Sequence, residues 1–301
     1  MSENITHTAV LDDCFRLMLA SDEICDAFKE VGRAQRDFAW MGSVTRSGDR
    51  FTVRLLSAFR SRWDARTPED RLEPKLAFVL GWFCHRAADR QMKPVFREAD
   101  PEGTQSPSDC SIYHDAFLFR EIYEGGKESP YSPAMFQKHM ESLSAAAAFD
   151  LPAVEETFRV LLQRALLGLH TLIPDGEDVE EWLDRLFGLQ QRFYVDLERY
   201  AAAIYAPDPE KVKRFIAETN FYDPGEPIIV AARGIQRGEE VTAEQVQEVV
   251  KAETQSHYAQ ALRMGYGYLC AASEFFTGDM APEVLRERRD IGRPGKDGRG
   301  V

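Results

Sequence analysis

A histidine and an aspartate four residues apart, His85 and Asp89, lie in the stretch Phe78 to Pro94, FVLGWFCHRAADRQMKP. No β-branched run interrupts the stretch and no proline occurs before Pro94, so it reads as helix. On a helix, that spacing stacks the imidazole and the carboxylate a turn apart on one face. Both can then reach one metal ion, or simply touch each other as a helix-stabilising pair. Phe78, Gly81, Trp82, Phe83 and Cys84 surround them, which points to the core, where an unpaired charge is costly.

The chain holds six histidines, so each can be weighed. His7 opens the first helix. His114 and Glu121, seven apart, share a helix face, with Asp115 about 100° away by the helical period. Asp37 leads into Phe38-Ala39-Trp40-Met41, where a carboxylate needs a purpose: a metal, a helix cap, or a pairing with Arg33 or Arg36. His139 reads as a core or boundary residue. His170 sits at a helix C-terminus, whose dipole an imidazolium complements, and His257 at a helix start. Arg86, Arg90 and Lys93 follow one another at about one helical turn, as phosphate-binding cations or as solvated surface charges. Mixed histidine and carboxylate ligands suit Zn²⁺, and also Mn²⁺ or Fe²⁺.

The elements that must position these groups are helical almost throughout. The expectation is an all-α multi-helix bundle around a buried central helix over about 75–92, closed by Pro94. Before it come an amphipathic helix at 6–20 with Val10, Leu11, Cys14, Phe15, Met18 and Leu19 on its apolar side, a short helix to Val31, and an arginine-rich helix at about 50–64. Thr67-Pro68-Glu69-Asp70 is a helix start: cap, first-position proline, first-turn acids. Further helices are expected over 109–124, 133–147, 152–172, 178–205, 209–219, and from Thr242 through 256–276. The one β-like stretch, Pro227-Ile228-Ile229-Val230-Ala231, is too short to found a sheet. Residues 1–280 read as a single all-α domain, and 281–301, rich in arginine and glycine, as a disordered tail.

Composition narrows the function classes. A net charge of −13, spread along the chain, repels phosphate backbones and anionic headgroups, which disfavours duplex nucleic acid. No apolar run has membrane-spanning length, and MSENITHTAVLDD lacks a signal-peptide profile. Five cysteines, odd in number and without a Cys-x-x-Cys pair, read as reduced core residues, so a cytoplasmic location is expected. There is no phosphate loop, dinucleotide glycine motif, His-Glu-x-x-His or Gly-x-Ser-x-Gly elbow.

The order Thr6-His7, then Gly32-Arg33-Ala34-Gln35-Arg36-Asp37-Phe38, then Gly81-Trp82-Phe83-Cys84-His85-Arg86-Ala87-Ala88-Asp89 and Lys93-Pro94 resembles the zinc-dependent phospholipase C family. Those proteins show an early His, a glycine-containing segment ending in Asp, then Gly-x-x-x-His-x-x-x-Asp with a nearby His-Pro. The resemblance spans roughly residues 5–125. It implies an all-α bundle with zinc held between helices, ligated by His7, Asp37, His85 and Asp89, with His114 as a further ligand; Glu121, on the face of His114, is added as a candidate ligand by spacing. Departures are clear. The chain begins Met-Ser-Glu where the secreted enzymes begin with a ligating tryptophan. No histidine falls between Asp37 and His85, Lys93 replaces the histidine of His-Pro, and Leu118 takes the fourth place after His114. One or two ions are therefore expected rather than a full cluster.

His85 followed by His114-Asp115 also resembles the order of the His-Asp phosphohydrolase domain, without the small residues that usually follow the pair. Either resemblance implies a metal-dependent hydrolase of a phosphoester, a small soluble one or a lipid headgroup. Metal-activated water is then the nucleophile, and Asp37 or Asp89 the general base. The competing expectation is a non-catalytic helical protein of the same fold that binds a partner.

Overall fold

A computed structural model describes residues 4–44, 52–99, 101–102, 107–124, 180, 184, 188, 195–196, 198–278 and 280–290. Among these, every regular element is helical and there is no strand, as the all-α reading expects. No described helix is long and apolar enough to cross a membrane. The chain divides into two compact units: Met1–Ala9 with Val95–Thr219, and Val10–Pro94 with Asn220–Val301.

In chain order the helices are α1 (Asn4–Ala20), α2 (Asp26–Ala34), α3 (Arg36–Val44), α4 (Thr52–Arg62), α5 (Leu72–Ala99), α6 (Asp109–Glu121), α7 (Pro209–Val212), α8 (Pro227–Gln236), α9 (Ala243–Lys251), α10 (His257–Thr277) and α11 (Pro282–Asp290). The helices expected over 133–147 and 152–172, with His139 and His170, lie outside the described residues. So does most of 178–205. Where a disordered tail was expected, α11 occupies Pro282–Asp290 and buries Leu285.

The second unit is built on α5 and α10 with the body of α1. Leu76, Leu80, Phe83, Cys84, Ala87 and Ala88 of α5 are wholly buried or nearly so, as are Leu262, Leu269 and Phe275 of α10. Each large apolar side chain buried in this way contributes about 1.5–3 kcal/mol. At Gly265 the packing is tight: a Cβ there would lie 2.6 Å from Cys14 Sγ and 3.5 Å from Ala87 Cβ. Phe276 gathers Phe28 and Trp63, with ring centroids 5.3 and 5.4 Å away. The start of α10 is fixed by Ser256, whose hydroxyl accepts from Ala259 N–H, and its end by Gly278 in the left-handed region at φ 100°.

In the first unit, α6 is capped by Ser108 and buried from Cys110 to Ala116. Tyr113 packs its ring 5.8 Å from Phe215, in the π-helical turn Lys213–Ala217 that continues α7. Asp109 takes Arg199 at 2.7 Å and Lys211 at 2.8 Å.

Three local expectations give way. Pro94 does not close α5, which runs on to Ala99. Met92 and Val95, on either side of the proline, are 0% and 3% exposed. Their burial offsets the roughly 3 kcal/mol that an interior proline costs. The β-like run 227–231 is the first half of α8. Pro227 stands at the first helical position, and Ile228, Ile229 and Ala232 form the buried stripe. Five residues were too few to separate a helical period from an alternating one. Helix α1 is not amphipathic: it is buried on every side from Ile5 to Phe15, and Asp12 and Asp13 are 2% and 0% exposed.

Candidate functional site

Helices α3 and α5 cross where two glycines face each other. A Cβ at Gly42 would meet the Phe78 carbonyl oxygen, and one at Gly81 the Ala39 carbonyl oxygen. The backbones therefore come within reach of side chains that would otherwise be held apart. Ser43, next to Gly42, presents its carbonyl 2.7 Å from Nδ1 of His85, one turn beyond Gly81. A carbonyl only accepts, so Nδ1 carries the proton and donates. In the neutral ring Nε2 then holds the lone pair. It faces Asp89 Oδ2 at 3.3 Å, and both side chains are largely buried. A lone pair and a carboxylate oxygen repel unless a cation lies between them, either a proton on Nε2 or a metal ion. The i, i+4 pairing read from the sequence is thus realised.

The flanking cations are committed within the protein. Lys93 Nζ donates to Asp89 Oδ2 at 2.6 Å, a turn along α5. Arg90 donates to the Tyr268 hydroxyl of α10 at 2.7 Å, and Arg86 reaches the same oxygen. Arg86 is only 8% exposed, which removes it from the solvated surface. Tyr268 is itself buried and receives both guanidinium groups, a partner that helical spacing along α5 alone does not reveal.

The other residues with expected roles lie on α1, α3 and α6. Asp37 lies half-buried in the first turn of α3 and does not join His85 and Asp89 in one ligand group. His7 is buried on α1, in the first unit. His114 is fully buried in that unit and places Nε2 2.8 Å from the Phe215 carbonyl, so this nitrogen carries the proton and donates. Glu121 is exposed, so the face it shares with His114 on paper turns from core to solvent within two turns. Asp115 accepts from Thr6 N–H and Thr6 Oγ1, both at 2.7 Å, and from Tyr200 Oη at 2.8 Å. The His114-Asp115 pair is thereby occupied with backbone and hydroxyl partners in its own unit.

No family model matches this chain, and neither a curated protein nor a solved structure does. The chemistry open to the site is thus read from its own geometry.

That geometry includes a group that spacing and residue type did not single out, the adjacent acids Asp12 and Asp13 in α1. Asp12 Oδ1 accepts from Trp40 Nε1 at 2.7 Å and from Arg36 at 2.7 and 3.2 Å. Asp13 accepts from Arg16 at 2.6 Å, from Tyr258 Oη at 2.8 Å and from Arg233. Burial lowers the Arg233 pKa and raises that of Tyr258. Arg36 and Trp40 belong to α3, so Asp12 anchors the helix whose Ser43 carbonyl orients His85. The sequence signal was Arg233, an arginine inside Ile228-Ile229-Val230-Ala231-Ala232-Arg233-Gly234-Ile235, which calls for a buried acid.

Proposed function

We propose that His85 and Asp89 bind a divalent transition-metal ion, and that the protein is a metal-dependent hydrolase of a phosphoester with phospholipase C-like chemistry. One observation carries the reading: His85 Nδ1 is held by the Ser43 carbonyl at 2.7 Å, which leaves Nε2 directed at Asp89 Oδ2. Histidines that ligate metals are oriented in this way, with the second nitrogen donating to a carbonyl or carboxylate. The imidazole and carboxylate form a donor set that suits zinc, manganese or iron. Such an ion, when bound, would supply a Lewis acid and bring the pKa of water bound to it down towards neutrality. The chain's own residues do the rest. Ser43 fixes the imidazole ring, and Lys93 holds the Asp89 oxygen it shares with His85. Tyr268 holds Arg86 and Arg90 in place along α5, the cations this reading assigns to the substrate phosphate.

The Lys93–Asp89 contact favours a second reading, a non-catalytic helical protein of the same fold that binds a partner. In that case an ammonium and a proton satisfy the carboxylate and the imidazole.

Metal analysis of protein purified without chelator separates the two. The hydrolase reading expects stoichiometric zinc, manganese or iron, lost in His85→Ala. It also expects hydrolysis of a chromogenic phosphodiester that falls with the metal. Only traces of metal, unchanged after zinc is added, would sink it, as would equal hydrolysis by wild type and His85→Ala. The same measurements on His7→Ala and Asp37→Ala ask whether the further ligands implied by the family pattern take part.

A further inference from the structure

An open cleft lies between the start of α3 and the turn that leads into α5. It measures about 620 Å³ and is lined by Gln35, Phe38, Arg66, Pro68, Arg71 and Pro74, among others. That size falls in the roughly 300–1,000 Å³ range of small-molecule sites. His85 and Asp89 do not line it.

Its walls are mixed: Phe38, Pro68 and Pro74 are apolar, Thr67 and Glu73 also line it, and its charges are almost all spent internally. Arg66 stacks on Trp63 at 4.1 Å, donates to the Trp63 carbonyl at 2.9 Å and pairs with Glu73. Asp70 caps its own turn through Thr67 and pairs with Arg62. Arg71 is different. It is exposed, and among the described residues its guanidinium makes no ion pair. It also sits at φ 50°, ψ 43°, a left-handed conformation in which glycine is the residue without steric cost. The Arg71 N–H donates to the Pro68 carbonyl at 3.3 Å and the Thr67–Asp70 capping box closes the turn, so the arginine is set in the cleft by a fixed backbone.

We propose that this cleft binds a small monoanion with a flat apolar body, an aryl carboxylate by chemical class. The carboxylate would meet the Arg71 guanidinium, whose planar fork matches its two oxygens. The ring would lie against Phe38 and the two prolines, and the Gln35 amide would supply a further donor. One unspent positive charge in the cleft selects a single negative charge on the ligand.

The test uses the full chain and benzoate as probe, with binding followed by saturation-transfer NMR. Benzoate is expected to bind wild type. Benzamide, the same shape without the charge, is expected to bind about tenfold more weakly, the loss of one charge-assisted pair. Arg71→Gly removes the guanidinium while relieving the left-handed strain, so it is expected to keep or raise the urea midpoint and to weaken benzoate by about tenfold or more. Arg71→Asn, which also tolerates this conformation, is the second variant, and Arg71→Lys is expected to restore part of the binding. Absence of benzoate binding to wild type, equal binding by Arg71→Gly or Arg71→Asn, or benzamide binding as tightly as benzoate would each overturn the proposal.

Discussion

Two aspartates, both wholly buried, meet opposite company. Asp13, in the second unit, is met by two guanidinium groups and a phenol, from Arg16, Arg233 and Tyr258. Asp115, in the first, is met only by neutral donors: the backbone of Ile5 and Thr6 and the hydroxyls of Thr6 and Tyr200. Burial penalises a carboxylate in either place. Full positive charges answer that penalty and hold the ion. Neutral donors answer it in part, and burial pushes the Asp115 carboxyl up to about 6 although Thr6, Tyr200 and Ile5 pull the other way. The kind of partner, more than the number of hydrogen bonds, decides how burial is answered, and with neutral donors alone Asp115 titrates near neutrality.

The largest way to break this contrast is Asp13→Ala. It leaves Arg233, 12% exposed, without its acid, and should cost about 3–5 kcal/mol in urea unfolding. A loss under about 1 kcal/mol would mean that Arg233 is satisfied by other means. Next comes the pH dependence of Asp115. Its carboxyl titrates higher in the fold than in the unfolded chain, so its stabilising contribution is complete below about pH 4 and is lost as pH rises through about 6. Relative to Asp115→Asn, wild type should therefore lose up to about 3 kcal/mol between pH 4 and pH 7. Parallel stability curves for the two proteins would remove Asp115 as a titrating group. The smallest effect sharpens the comparison. Tyr200→Phe deletes one neutral donor, costs about 1 kcal/mol at neutral pH and moves the Asp115 step to higher pH. Unfolding curves of this variant across pH would show the step displaced upward. An unmoved step would say that the Tyr200 bond carries little of the balance.

The same distinction marks what the sequence could reveal. An i, i+4 pair such as His85 and Asp89 is set by the helical period alone, so spacing was enough to join them. The Ser43 carbonyl that orients His85 belongs to another helix and is main chain, so no residue type announces it. Asp12 and Asp13 were not singled out, because guanidinium partners come to them from Arg36 and from Arg233 on other helices. The cap Thr242 located the start of α9, whereas Pro227, the first residue of α8, was read into a β-like run. Pro94 misled because the burial of Met92 and Val95 is a tertiary term that no local rule contains.

The crossing of α3 and α5 has a genetic consequence. An orienting group that is a backbone carbonyl does not depend on the hydroxyl at position 43, so Ser43→Ala should leave the His85 ring where it is. Sensitivity to mutation is transferred instead to Gly42 and Gly81, where the two backbones cross. An added methyl at either would strike a carbonyl of the facing helix and part the two backbones. In a saturation library, the positions most intolerant of change around this site should therefore be two residues with no side chain.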